Sequence, residues 1–234
     1  MKTLHLCMLL MLLFAAAYGQ NKVPYDYPVK PGTAAWNSLP STAARVQACQ
    51  IPADVLSSLG TEALGITCLN FPFIGELLAA QDLQSGFNAL QKHFNGFREL
   101  LSRKDAGKAL LDLYTRMNTT ALNRNAPLTE QGAFTLRFSY LELLLAQNAV
   151  IATLDEGNTQ LLRKEAVKKY EEKQSRTDAF GSIGLNTSAW VMGKLLQKAQ
   201  LRKTENAALD HFLNTGTFSS PALLNEIYTS SKQL

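Results

Sequence analysis

The chain has 234 residues, 46% of them hydrophobic and 18% charged, and its formal net charge is +4. That apolar share excludes disorder along the whole length, and fourteen glycines without a three-residue period exclude a collagen. The length allows one large domain or two small ones.

Residues 1–19 read as an address. Met1-Lys2-Thr3 is a short positive start, and Leu4 to Ala17 is apolar apart from His5. Ala17-Tyr18-Gly19 then places small residues at a cleavage site before Gln20. This order predicts a secretory signal peptide, a mature start near Gln20, and a secreted or periplasmic location. The apolar run is shorter than the ~20 residues a spanning helix needs. Cleavage would leave 22 basic against 19 acidic residues, a net +3. Phe138 to Leu154 is the most apolar later stretch, but Glu142, Gln147 and Asn148 interrupt it. A bare carboxylate in mid-membrane costs on the order of 3 kcal/mol. The stretch therefore reads as buried helix, and no integral membrane span is expected after signal removal.

Cys49 and Cys68 are the cysteines that survive cleavage. An oxidising destination and an even count predict one disulfide, worth roughly 3 kcal/mol in the chain-entropy model. The other reading is two buried thiols packed as small apolar groups. Two thiols are too few ligands for structural zinc, and no metal is expected.

Residues 20–40 hold Pro24, Pro28, Pro31 and Pro40, with Tyr25, Tyr27 and Trp36 between them. Spaced prolines predict an extended arm, lying on the surface of a domain that spans 41–234.

From Ser41 onward caps and breakers cut a helical pattern into pieces. Helices are predicted from Ser41 to about Cys49, from Pro52 to Leu59, and from a Thr61 cap to before Pro72. Phe73 to Ala80 is one more short helix. Asp82 caps another that runs to Phe94. Asn95-Gly96 reads as a left-handed corner, with Phe94 and Phe97 plugging the core beside it and a short turn over 97–101. Lys104 to Met117 is amphipathic. Thr129 to Leu154 is predicted as the longest helix and apolar almost all round. Its polar stripe holds only Glu130, Arg137, Asn148 and Asp155, as in the central helix of a bundle. Asn158 to about Arg176 is highly charged and reads as peripheral. Gly181-Ser182-Ile183-Gly184 reads as a helix break. Helices over 187–199, 204–214 and 220–228 complete the chain. No run alternates with period two, so the fold class is all-α, one irregular multi-helix domain around the 129–154 helix.

One set of blocks is familiar. Lys30-Pro31-Gly32-Thr33 with Trp36, Cys49-Gln50-Ile51-Pro52, Thr67-Cys68-Leu69-Asn70-Phe71-Pro72 and Gly86-Phe87 precede Phe94-Asn95-Gly96-Phe97-Arg98-Glu99-Leu100-Leu101 and Arg103-Lys104-Asp105-Ala106. Over about 30–120 the chain resembles a family of bacterial exported helical proteins with no assigned activity. The resemblance implies a bacterial envelope or secreted location and carries over no site residue.

Catalytic patterns are sparse. His93 and His211 have no partner at metal spacing, and Asp210-His211 points its two side chains apart on a helix. No G-x-S-x-G elbow and no phosphate-binding glycine loop occurs, so no cofactor is expected. Arg98, Glu99, Arg103, Lys104 and Asp105 form a dense polar cluster, which suits either acid–base work in a cleft or a surface ion-pair network. Glu142 stands off the polar stripe among leucines and must find a partner or take up a proton. Glu142, Arg98 and Glu99 are therefore the candidate catalytic residues.

Residues 157–203 hold ten Lys/Arg against four Asp/Glu, a local +6. Lys194, Lys198 and Arg202 recur every four residues and share one helix face, a candidate binding surface for an acidic patch or anionic envelope polymer. Arg163, Lys164, Lys168 and Lys169 are expected to add to that surface. Nucleic acid is not an expected partner, because no aromatic platform interleaves the charges. Two functions remain on the sequence. One is a non-enzymatic exported protein that binds a protein or envelope component. The other is an exported all-α hydrolase or lyase using carboxylates and arginine.

Overall fold

A computed structural model describes residues 21–199, 206–217 and 219–233. The signal-peptide region 1–19, Gln20 and Arg202 lie outside the described residues. In chain order the helices are α1 Ala34–Asn37, α2 Thr42–Ala48, α3 Ala53–Ser58, α4 Thr61–Leu69, α5 Leu83–His93, α6 Asn95–Ser102 and α7 Ala106–Arg116. There follow α8 Leu128–Leu145, α9 Asn148–Ala152, α10 Glu156–Gln174, α11 Thr177–Lys198, α12 Ala207–Thr215 and α13 Pro221–Lys232. Short 3-10 turns cover Ile74–Leu78 and Thr119–Ala121. Among the described residues there is no strand, only a parallel bridge between Asn21 and Leu59. The fold class is all-α and the helices form one domain, as the sequence predicts.

The predicted caps do their work. Ser41 Oγ accepts from the Ala44 amide at 3.1 Å, Asp82 Oδ1 from Ser85 at 2.8 Å, and Ser220 Oγ from Leu223 at 3.3 Å. Each satisfies an amide that a helix start would leave open. Gly60, rather than Thr61, caps α4.

The C-terminal part of the fold is organised by a ring of four helices, in which α7 and α11 each pack on both α8 and α10, with α13 against α11. Helix α8 is the apolar centre, with Phe138, Leu141, Leu143, Leu144 and Leu145 all buried. It is shorter than its apolar run. The helix stops at Ala146, and Gln147, in extended backbone, starts the separate α9. Helix α11 covers 22 residues in two stretches, and α10, with 19, is the longest unbroken helix among the described residues. The two stretches of α11 meet at Gly181, whose backbone is non-helical with φ 60° and ψ −171°, so the helix breaks where the sequence predicts a break. Helix α10 is not peripheral: Leu162, Ala166, Lys169, Tyr170 and Lys173 are buried. Charge alone suggested an outer helix, but long lysine stems pack as apolar groups when their heads find partners.

The N-terminal half closes on aromatic rings. Phe71 stacks on Phe94 at 4.1 Å between centroids, and Phe97 meets Phe94 and Phe87 edge-on at 5.2 and 5.5 Å. Phe94 and Phe97 are fully buried, as predicted. The corner between them differs from expectation. Gly96 has no positive φ and lies in the first turn of α6. Glycine is required there because a Cβ would collide with the Phe94 ring. Asn95 holds the corner with its side chain, accepting from the Ile51 amide at 3.1 Å and donating to the Ile51 carbonyl at 2.7 Å.

The arm is docked rather than draped. The Asn21 amide donates to Ser58 O at 2.8 Å and the Gly60 amide to Asn21 O at 2.9 Å. Tyr27 is 3% exposed, and its hydroxyl donates to Thr67 O at 3.0 Å. Under it lie Cys49 and Cys68, and here the disulfide expectation is corrected: both are free, buried thiols. Cys49 ends α2 and Cys68 sits near the end of α4, each filling a small apolar space. Burial pushes the Cys49 thiol up to about 11 and raises Cys68 further, so both stay protonated near neutrality.

Candidate functional site

Three places were candidates on the sequence: Glu142, the 98–105 cluster and the basic face. Each has a distinct fate in the structure.

Glu142 lies at the meeting point of the four central helices and is fully buried with Lys173. Its Oε1 accepts from Tyr114 Oη of α7 at 2.5 Å, from Lys173 Nζ of α10 at 2.6 Å and from Ser188 Oγ of α11 at 2.7 Å. Its Oε2 accepts from Lys173 Nζ at 2.6 Å and Thr187 Oγ1 at 2.6 Å. Lys173 also donates to Gly184 O at 3.2 Å and Ser188 Oγ at 3.0 Å. Phe138 and Phe180 offer ring faces at 5.5 and 5.9 Å from its ammonium. Burial lowers the Lys173 ammonium from the usual lysine value, and the Glu142 carboxylate opposes that pull. Burial, then the neighbouring carboxylate, holds the Tyr114 hydroxyl well above its ordinary value, so it donates as a neutral phenol. The carboxylate is satisfied by five donor contacts and lines none of the three clefts described below. Its chemistry is to tie four helices together. The sequence marked Glu142 as needing a partner; that the partner is Lys173 depends on how α8 and α10 pack.

The 98–105 cluster is divided between structural duties. Arg103 donates to Leu59 O at 2.5 Å and Leu56 O at 3.1 Å, closing the open carbonyl end of α3, and pairs with Glu99 at 3.0 Å. Asp105 accepts from Thr61 Oγ1 at 2.8 Å. Arg98 is turned away from Glu99. Its Nη1 donates to Gln91 O at 3.2 Å and Lys92 O at 2.9 Å, at the carbonyl end of α5.

Of the basic face, Lys194 is buried and Lys198 exposed, and among the expected companions on α10 Lys164 and Lys168 are exposed. Lys194 is 5% exposed and donates to Asn148 Oδ1 at 2.9 Å. Burial lowers its ammonium from the usual lysine value. Lys198 donates to Ile151 O at 3.0 Å, Leu154 O at 2.6 Å and Thr159 Oγ1 at 3.3 Å. The common spacing is real: Lys194, buried, holds the Asn148 side chain at the start of α9, and Lys198, exposed, bonds the carbonyls at its end. Of the expected companions on α10, Lys169 is 2% exposed, paired with Glu165 at 2.7 Å and seated 4.4 Å over the Tyr114 ring. Arg163 donates to Ser231 O at 2.7 Å.

A groove that the sequence did not reveal lies between α2, the 3-10 turn at Ile74–Leu78 and the α5–α6 corner. It encloses about 590 Å³. Val46, Phe71, Phe73 and Leu90 form its apolar floor. Around them stand Thr42, Gln47, Glu76, Lys92, His93 and Arg98. Gln50 fixes the geometry: its Nε2 donates to His93 O at 2.8 Å and its Oε1 accepts from the Asn95 amide at 3.1 Å. Among the described residues, the side chains of Thr42, Gln47, Glu76, Lys92 and His93 make no hydrogen bond or ion pair. A second cleft, near Thr61 and Lys108, differs in that most of its charges are matched. There Lys108 pairs with Asp112 at 2.6 Å and Glu62 with Arg116 at 2.8 Å. A third hollow, of about 270 Å³, is lined by the Arg163 and Lys198 already engaged above.

An apolar floor ringed by uncommitted polar groups is the arrangement expected of a binding site. Of the sequence candidates, Arg98 alone reaches it; Glu99, Glu142, Lys194 and Lys198 do not line it. The groove escaped sequence reading because its residues come from segments 42–50, 71–76 and 90–98, brought together by tertiary packing. Among the described residues no group of three or more His, Cys, Asp or Glu is placed to hold a metal ion. No helix among them is long and apolar enough to cross a membrane. Comparison of the chain with family models, with curated proteins and with solved structures found no match.

Proposed function

We propose that this is a bacterial protein exported through a cleaved signal peptide, secreted or periplasmic, that acts by binding a protein or other component of the cell envelope. The charge, apolar run and small residues of 1–19 support export, and the resemblance of 30–120 to exported helical proteins points the same way. The observation that carries the binding reading is the groove. Its floor is apolar and its rim keeps polar side chains free, whereas the buried network and Arg103 are spent on holding helices.

The enzymatic reading keeps one specific support. Glu76, His93 and Arg98 line the same open groove, so a carboxylate, an imidazole and a guanidinium face one space. One experiment separates the two. A photo-crosslinking residue at Gln47 is expressed in intact cells, and purified protein is offered esters, amides and glycosides. The binding reading expects a discrete adduct from Gln47, lost when Ala43→Trp fills the groove, and no turnover. Turnover that disappears in both Glu76→Gln and His93→Ala would replace it with the enzymatic reading.

A further inference from the structure

We propose that the groove takes an extended peptide segment of a partner protein, one in which an aromatic or branched aliphatic side chain stands next to a carboxylate. The inference rests on the binding reading above and names the chemistry of the partner.

The floor of Val46, Phe71, Phe73 and Leu90 offers an apolar side chain a place out of water. On the α2 wall, Thr42 and Gln47 hold a free hydroxyl and a free amide, each able to donate and accept. An extended backbone presents alternating N–H and C=O groups to such a wall, and a lipid chain presents none. At the α5–α6 corner stand two basic side chains. The Lys92 ammonium has no partner among the described residues, and the Arg98 guanidinium is braced by two carbonyls through Nη1 alone. That leaves Nε and Nη2 of Arg98 for a carboxylate. Glu76, on the 3-10 turn, limits the charge the groove accepts. Two cations against one carboxylate suit a single added anion; a polyphosphate or nucleic acid would bring negative charge onto Glu76.

Trp36 reports on the site. It packs against Phe73 at 5.3 Å between centroids, and the second tryptophan, Trp190, is fully buried. The test uses protein purified after export and a positional-scanning library of acetylated, amidated hexapeptides. Binding is read by Trp36 emission and by the anisotropy of a fluorescein tag. Pools that fix Asp or Glu beside Phe, Tyr, Leu or Ile are expected to bind about tenfold tighter than pools with Lys in the acidic position. Lys92→Gln, which removes a side chain that holds nothing in the fold, should cut that preference roughly threefold at low salt and less at high salt. Arg98→Gln, checked by circular dichroism, should cut it further. Pools that bind and are blocked by Ala43→Trp, but show no acidic preference, would overturn this proposal and leave the binding reading standing. Binding by no pool, or binding indifferent to Ala43→Trp, would overturn the peptide proposal, and the Gln47 crosslink then decides the binding reading by itself. Phosphatidylglycerol vesicles that outcompete the best pool would assign the groove to an anionic lipid surface and overturn the peptide.

Discussion

The Lys173 ammonium sits 2.6 Å from both carboxylate oxygens of Glu142, with neither side chain exposed to solvent. This pair is the polar centre of four helices that are otherwise joined by apolar contacts. Taking two charges out of water is costly, and the cost is recovered only where every donor and acceptor is matched. Tyr114, Thr187, Ser188 and Gly184 complete that matching.

Removing one partner therefore costs more than removing both. Lys173→Met should destabilise by about 3–5 kcal/mol, because a buried carboxylate is left without its countercharge. Combining it with Glu142→Leu should recover most of that loss. Urea unfolding of the two variants and the parent checks this. A double variant as unstable as the single one would contradict it.

The two thiols should be free in the folded protein and hard to reach. Thiol titration should find both after denaturation, and neither should be alkylated near neutral pH in the native state. Their pH dependence has a definite sign. The Cys49 thiol ordinarily ionises near 9.0 and is held at about 11 by burial, so the unfolded chain loses its proton first. Stability is full below pH 9 and falls as pH rises towards about 11. Cys68, Tyr27 and Tyr114, all raised by burial, act in the same direction. The thermal midpoint should fall across that window, and Cys49→Ala should flatten the fall. A midpoint that rises with pH would contradict it.

Much of the fold was legible in the sequence because its signals are local. Ser41, Asp82 and Ser220 each cap a helix through contacts three residues away. The apolar run of α8 marked the centre, though Gln147 divides it, and no single-residue propensity announces that division. The spacing of Lys194 and Lys198 put both on one face, but only Lys198 is exposed there, while Lys194 is buried against Asn148. Which side of α11 meets α9 is a tertiary fact. The groove was hidden for the same reason: only Arg98 belonged to a cluster dense enough to notice, and its companions Thr42, Gln47 and Glu76 are unremarkable in isolation.

The arm should matter for stability. Tyr27→Ala should cost about 3–4 kcal/mol, since it empties a fully enclosed ring site next to Phe71 and Phe94. Tyr27→Phe should cost about 1 kcal/mol, for the lost bond to Thr67 O. Chemical denaturation gives the numbers, and limited proteolysis should cut the released arm between residues 21 and 31 in the alanine variant.

Charge changes on α11 should register as stability. Lys198→Met removes contacts to two carbonyls and should cost about 1–2 kcal/mol, a drop of a few degrees in thermal midpoint for a domain of this size. Lys198→Glu places a carboxylate against those carbonyls and should cost more. An unchanged midpoint in both would show that this lysine is not a cap.

The claim that the groove is where this protein meets its partner has a direct measurement. Isotope-labelled protein is titrated with an envelope extract, and backbone amide shifts are followed by NMR. The account predicts shifts concentrated at residues 42–50, 73–76 and 92–98, absent in Ala43→Trp. Shifts centred instead on 61–63 and 105–112, or on 156–163 and 195–199, would contradict it.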